Sequence, residues 1–125
     1  MAASKRSVRL LSGLLLGAGV AHFARPAQFD AIVPRVLPGR ARTWTYASGV
    51  AELLFGAALA VPRTRRTGAL AAAGLFTAVF PANVQMAYDW RDRPAPLRAL
   101  ALARLPLQVP LALWALRIHR AERPS

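Results

Sequence analysis

Polar and ionisable side chains interrupt otherwise apolar stretches of the sequence. Glu52 follows Trp44 by eight residues inside one apolar stretch, and Arg104 follows Leu97 by seven residues inside another. A charged side chain in hydrocarbon costs at least about 2.5–3.5 kcal/mol, so such residues usually face protein or water and have partners. Five residues therefore form a candidate ligand or proton site: His22, Glu52, Asn83, Arg104 and Gln108.

Three of these residues are predicted to lie at one depth in a membrane. If both termini are on one side, the segments that carry Glu52 and Arg104 run in the same direction, and both residues lie about 10–12 Å from the far face. Asn83 precedes Trp90 by seven residues on an antiparallel helix, which places it at about 10 Å. Two interpretations stay open: a structural Glu52–Arg104 ion pair, or a functional site for a small ligand or protons.

Hydropathy predicts an all-α, integral membrane four-helix bundle. The chain has 125 residues, of which 55% are hydrophobic. A soluble domain of this size buries only about two thirds of its unfolded surface, which is too little for such a composition. We predict one domain over residues 1–125, in which residues 25–43 form a loop on the membrane surface. The predicted spans, each near the ~20 residues needed to cross, are residues 8–24, 44–61, 67–90 and 97–116.

Small residues and prolines are predicted to shape the packing of these helices. Gly13 and Gly17 in the first span, and Gly74 and Ala78 in the third, have the four-residue spacing that lets helices approach closely in lipid. Prolines within the spans free backbone carbonyls, and these need protein groups or water at membrane depth. We therefore expect a polar bundle interior near Pro81, Pro106 and Pro110.

The distribution of basic residues predicts the topology. The net charge is +12, and the arginines lie mainly at the ends of apolar stretches, as in membrane proteins. They lack the interleaved aromatic residues that stack nucleic-acid bases, so we predict no nucleic-acid partner. Nine basic residues share a side with both termini, against seven on the other. This favours a multi-pass protein of the cell (inner, cytoplasmic) membrane with both termini in the cytoplasm.

Metal and thiol chemistry are not predicted. The chain contains no cysteine, which excludes disulfides and thiolate ligands. No spacing of histidines and carboxylates corresponds to a metal site. We therefore predict no metal and no bound cofactor, with quinone as the one small molecule that the polar residues could bind.

A series of short motifs runs in order through nearly the whole chain. They are residues 19–23 (GVAHF), 32–34 (IVP), 48–52 (SGVAE), 80–83 (FPAN) and 104–108 (RLPLQ). Together they resemble the DoxX-like family, although many of its members have a second proline where this chain has Arg35. The resemblance implies a four-helix membrane bundle. The family takes its name from a small subunit of a thiosulfate:quinone oxidoreductase, and other relatives are associated with membrane oxidoreductase complexes.

Three functions are compatible with this sequence. The resemblance implies a small membrane subunit or accessory protein of an oxidoreductase system, not a stand-alone enzyme, in which the polar residues bind quinone or relay protons. The alternatives are a small proton-coupled transporter and a membrane assembly protein whose polar core is purely structural. The expected partners are the lipid bilayer and either an oxidoreductase subunit or a second copy of the chain.

Alkaline phosphatase fusions test the predicted topology. We expect high activity for a fusion after Pro38, because the segment that precedes the second span lies outside the cytoplasm. A fusion after Arg65 is expected to be inactive, because that turn lies inside. Activity is measured in whole cells and normalised to fusion protein on an immunoblot. High activity of the second fusion alone would reverse the topology.

Overall fold

The chain folds into helices throughout the part that the structure describes. The structure is a computed structural model that describes residues 4–122 except positions 32, 34 and 36. Within that part there is no β-strand, which confirms the predicted all-α class. The helices are α1 (Lys5–Ala24), α2 (Pro26–Asp30), α3 (Ala41–Ala60), α4 (Arg65–Asp89) and α5 (Ala95–Ala121).

Three of the long helices have the length and composition needed to cross a membrane. They are α1, α4 and α5. Helix α3 has 20 residues but is not among these candidate spans, and it contains Arg42, Glu52 and several hydroxyl-bearing side chains. Three candidate spans are thus supported by length and composition, and the predicted fourth span stays a prediction.

The predicted surface segment, residues 25–43, is partly helical. Helix α2 occupies five of its residues, and α3 begins three residues before the predicted second span. Pro26 suits the first turn of α2, because the amide that proline lacks would have no partner there. Positions 32, 34 and 36 of the segment lie outside the described residues.

Local interactions fix where the helices begin and end. The Ser4 hydroxyl accepts a 3.1 Å hydrogen bond from the Ser7 amide and so caps the start of α1. Helix α3 ends at Ala60 because Pro62 cannot continue a helix. Arg65 then folds back, and its Nε donates to the carbonyl of Leu59 at 2.8 Å. A basic side chain thereby satisfies a carbonyl at the C-terminus of α3.

Helices α1 and α3 pack antiparallel at very short distance. The Ser12 hydroxyl donates to the carbonyl of Gly56 at 2.7 Å. Seven residues further along α1, a Cβ atom built on Gly19 would lie 3.0 Å from the Gly49 carbonyl oxygen. Small residues on both helices therefore allow the two backbones to come together.

The small-residue faces predicted on the first and third spans are not the ones that pack. Gly13, Gly17 and Gly74 are exposed, and a Cβ atom built on any of them meets no described atom within 4 Å. The α1 contact uses Ser12 and Gly19 instead. Glycine occurs on both sides of α1, so spacing alone could not distinguish the packed face from the outer one.

The long helices are neighbours in space in the same order as in the sequence. Helix α3 lies between α1 and α4, and α5 packs against α4.

One end of the bundle, here called the terminal end, contains the start of α1, the turn at residues 61–64 and the end of α5. There Leu11, Leu15, Leu59 and Ile118 form a buried core. The Trp114 indole donates a 2.7 Å hydrogen bond to the Ser7 hydroxyl and joins α5 to α1.

The outside of the bundle is apolar. Leu10 of α1 and Leu54 of α3 are 60% and 61% exposed. Exposed apolar side chains also occur along α4 and α5. A contiguous apolar outer surface of this kind is costly in water, so it supports a protein surrounded by lipid.

Gly68→Ala should destabilise the bundle. A Cβ atom at Gly68 would lie 2.9 Å from the backbone of both Ala58 and Leu59, and a backbone cannot move aside as a side chain can. We expect a loss of about 1–3 kcal/mol, the usual cost of overpacking. Gly74→Ala on the same helix is the matched control, because a Cβ there meets no described atom. Unfolding in detergent–SDS mixtures measures both, and equal stability of the two variants would contradict the packing described.

Candidate functional site

A histidine and a glutamate from neighbouring helices form the centre of the site. His22 near the end of α1 and Glu52 in α3 have Nδ1 and Oε1 2.8 Å apart, with side chains 13% and 14% exposed. The same Nδ1 lies 2.7 Å from the carbonyl oxygen of Ala18. The N–H is directed at this carbonyl, so Glu52 Oε1 is at ion-pair distance yet buried without a well-directed hydrogen bond from any described residue.

The surroundings of His22 determine which nitrogen carries hydrogen. Both neighbours of Nδ1 are oxygen acceptors, the Ala18 carbonyl and the Glu52 carboxylate. Nδ1 must therefore be protonated, because an unprotonated nitrogen would repel them. The other ring nitrogen, Nε2, makes no hydrogen bond to a described residue. This atom accepts a hydrogen bond when the imidazole is neutral and donates one when it is charged.

The glycine contact between α1 and α3 brings the pair together. A Cβ atom built on Gly49 would lie 2.9 Å from Cβ of His22, so only glycine allows this approach. Glu52 follows Gly49 by three residues and thus lies on the same side of α3. Phe29 of α2 stacks on the His22 ring, with centroids 3.8 Å apart and planes at 20°. The predicted surface segment therefore contributes directly to the site.

The other polar residues lie between α4 and α5. Gln108 Nε2 donates to the carbonyl of Phe76 at 2.7 Å. Asn83 is completely buried, and its Nδ2 donates a long 3.4 Å bond to the carbonyl of Arg104. The Asn83 Oδ1 atom is buried with no described partner. Buried polar atoms normally have hydrogen-bond partners, so this oxygen is an available acceptor inside the bundle.

The structural Glu52–Arg104 ion pair, one of the two interpretations left open by the sequence, does not form among the described residues. Among the described carboxylates none lies within 4 Å of Arg104, whose Nη1 contacts Met86 Sδ at 3.4 Å. The number of residues from the membrane face predicts how far along its helix each residue lies. It does not predict which side of the helix the residue occupies. Glu52 faces α1, whereas Arg104 on α5 packs against α4.

Helices α4 and α5 continue through their prolines. Pro81 lies inside α4, and Pro106 and Pro110 lie inside α5. The bond from Gln108 to the Phe76 carbonyl supplies a side-chain donor to the α4 backbone one turn before Pro81. A side chain of the neighbouring helix thus binds a backbone carbonyl in the interior. The carbonyl that Pro81 frees is that of Thr77, so the expectation about freed carbonyls stays a prediction.

Sequence reasoning missed a polar network that holds the surface segment in place. Asp30 of α2 accepts hydrogen bonds from the Thr45 hydroxyl at 2.6 Å and from Arg42 Nε at 2.8 Å. Hydrogen bonding by Thr45, and secondarily by Arg42, holds the pKa of Asp30 below its ordinary value. Arg35 pairs with Asp89 at the end of α4. The one signal in the sequence was that acidic and basic residues, Asp30 and Arg42 among them, occur together in the long segment between the first two predicted spans.

The site has no set of metal ligands within the described part of the chain, where no three histidine or acidic side chains come together. His119 lies at the terminal end, where its Nδ1 is 2.9 Å from the carbonyl oxygen of Arg66. The two histidines are therefore at opposite ends of the bundle. The arrangement at His22 suits hydrogen bonding and proton exchange with a small polar group.

Comparison with known families finds one match. Residues 11–119 match DUF8561, a domain of unknown function. The chain belongs to the DUF8561 family. The match covers all five polar residues of this DUF8561 chain. No curated protein and no solved structure matches it, and the resemblance to the DoxX-like family stays a prediction.

A double-mutant cycle tests which residue is the partner of Glu52. We expect His22→Ala and Glu52→Ala to be coupled by about 0.5–3 kcal/mol, the range for residues in direct contact. Arg104→Ala and Glu52→Ala should be additive within about 0.5 kcal/mol, because their side chains do not touch. The free energies of unfolding come from SDS titration in mixed micelles. A larger coupling with Arg104 would restore the ion pair predicted from sequence.

Proposed function

We propose that this chain is a DoxX-like membrane protein, a small subunit or accessory protein of an oxidoreductase system, whose His22–Glu52 pair binds a quinone head group and exchanges protons with it. The observation that carries the proposal is the contact between His22 Nδ1 and Glu52 Oε1 at 2.8 Å, between two largely shielded side chains. It is a proton-exchanging pair in a chain with three apolar candidate spans.

The proposal includes a fourth membrane span. Helix α3 lies alongside α1 from the Ser12–Gly56 hydrogen bond to the Gly19–Gly49 contact. If α1 crosses the membrane, α3 lies at the same depth and crosses with it. Its most polar side chain, Glu52, faces α1 instead of lipid. The four long helices then form the predicted bundle, with both termini in the cytoplasm.

The chemistry of the pair favours proton exchange. With Nδ1 held as a donor, a carboxylate beside the ring stabilises the imidazolium form by opposite charge. His22 Nε2 can then donate a hydrogen bond to a carbonyl oxygen of a quinone. In the neutral form, Nε2 can accept a proton from a quinol hydroxyl. The Ala18 carbonyl holds the N–H of Nδ1, and an imidazole fixed in this way beside a carboxylate is suited to general acid–base chemistry at Nε2.

The position of the pair suits a ligand that lives in lipid. His22 is two residues from the end of α1, near the level where a polar head group meets the membrane surface. Phe29 on one face of the imidazole provides an aromatic wall for a flat ring. Glu52 lies deeper in the bundle, where it is shielded from bulk water. A head group at Nε2 would therefore enter from the end of the bundle that α2 covers.

Electrons would have to leave through a partner. The chain has no cysteine, and its own contribution is limited to binding and to movement of protons. Oxidation of a quinol to a quinone releases two protons and two electrons. His22 Nε2 would take the protons one at a time, passing the first to water before it accepts the second, and both electrons would pass to a redox group of another subunit. For this reason the proposal is a subunit or accessory role and not a complete enzyme.

Purification in native lipid tests the proposal. The full-length chain is extracted in polymer nanodiscs, and co-purifying quinone and protein partners are identified by mass spectrometry. We expect quinone to be enriched over the bulk membrane. His22→Gln should reduce this enrichment about tenfold, the effect of losing roughly 1.4 kcal/mol, which is near the upper end of the range for one ordinary hydrogen bond.

The control is His119→Gln at the opposite end of the bundle, which should leave the quinone content unchanged. Absence of enrichment in the wild-type chain would contradict quinone binding, and recovery of the chain without any protein partner would contradict the subunit role. A proton flux in proteoliposomes that disappears in Glu52→Gln would favour a transporter. Loss of stability in Glu52→Gln with unchanged quinone content would favour the structural role.

A further inference from the structure

The terminal end of the bundle carries a surplus of positive charge. Its only described carboxylate is Glu122, which is 4.0 Å from Arg65. The opposite end differs, because Asp30, Asp89 and Asp92 pair there with arginines. The cations at the terminal end come from three segments of the chain, which are the start of α1, the turn before α4 with the start of α4, and the end of α5. They are Lys5, Arg6, Arg9, Arg63, Arg65, Arg66, Arg117 and Arg120.

A groove on α5 opens next to these cations. It has a volume of about 170 Å³ and is lined by Pro110, Leu113, Trp114 and Arg117. The four residues follow one another along α5 at three- or four-residue spacing and therefore share one face. Towards the terminal end the lining changes from apolar side chains to a guanidinium. The groove is thus apolar at membrane depth and cationic at the surface.

Trp114 gives the groove a fixed wall. Its indole donates to the Ser7 hydroxyl of α1 at 2.7 Å, which holds the ring across the gap between α5 and α1. Leu113 is 52% exposed, and Arg117 is exposed and makes no ion pair or hydrogen bond with a described residue. An apolar surface and an unpaired cation therefore lie side by side.

We propose that this groove binds an anionic phospholipid, with the phosphate head group on Arg117 and an acyl chain along Leu113 and Trp114. Charge complementarity favours this occupant: a guanidinium forms strong paired hydrogen bonds with phosphate, and basic residues next to the apolar part of a membrane helix attract anionic lipids. The surrounding cations at the terminal end add long-range attraction for the same leaflet. This site does not depend on the function of His22 and Glu52.

Native mass spectrometry with added lipid tests the proposal. The purified full-length chain in detergent is titrated separately with phosphatidylglycerol and phosphatidylcholine of identical acyl chains. We expect tighter binding of phosphatidylglycerol. Arg117→Gln should weaken it about fivefold, the contribution of one basic residue at an anionic surface, and leave phosphatidylcholine unchanged. Leu113→Trp, which fills the groove, should weaken both lipids.

Arg98→Gln is the matched control, because Arg98 is an exposed arginine near the start of the same helix. It should leave binding of both lipids unchanged. Equal affinity of the wild-type chain for the two lipids would overturn the proposal, as would an equal effect of Arg98→Gln and Arg117→Gln. Displacement of phosphatidylglycerol by inorganic phosphate alone would show an ion site instead of a lipid site. Thermal melting of each variant confirms that it is folded.

Discussion

The candidate site depends on the short distance between α1 and α3. Glycines at positions 19 and 49 remove the side chains that would otherwise separate the two helices. The hydrogen bond from Ser12 to the Gly56 carbonyl fixes their relative position nearer the terminal end. Because the backbones are so close, an imidazole on one helix reaches a carboxylate on the other. Without this approach, Glu52 would be a charged side chain in an apolar bundle with no partner.

Much of the fold could be predicted from the sequence, because helices in lipid need long apolar stretches. The four long helices have nearly the predicted bounds, and the prolines of α4 and α5 left them continuous. The shift of α3 to an earlier start has a simple cause. Arg42, predicted to lie in the surface loop, binds Asp30 together with Thr45 of the predicted span. Residues 41–43 are therefore part of the first turn of a helix that is tied to α2.

The partners within the site could be predicted only in part. Hydropathy and residue counting predict that Glu52, Asn83 and Arg104 lie at one depth in the membrane. This prediction needs only the helical rise per residue. Which side of each helix they occupy depends on which glycines form the packed face, and small residues occur on both faces of α1. For this reason the sequence suggested Arg104 as the partner of Glu52, whereas the structure has His22 in that place. His22 was included in the cluster but not recognised as the residue that touches it.

The contact between α1 and α3 also has a consequence for biosynthesis. A ribosome delivers the helices to the membrane in chain order, so α1 is already in place when α3 emerges. Helix α3 carries Glu52 and several hydroxyl-bearing side chains, and a charged side chain exposed to lipid is costly. Its neighbour offers a glycine face, a serine hydroxyl and a histidine that match the polar side of α3. If α3 crosses the membrane as proposed, the first helix acts as an intramolecular chaperone for the insertion of the second span.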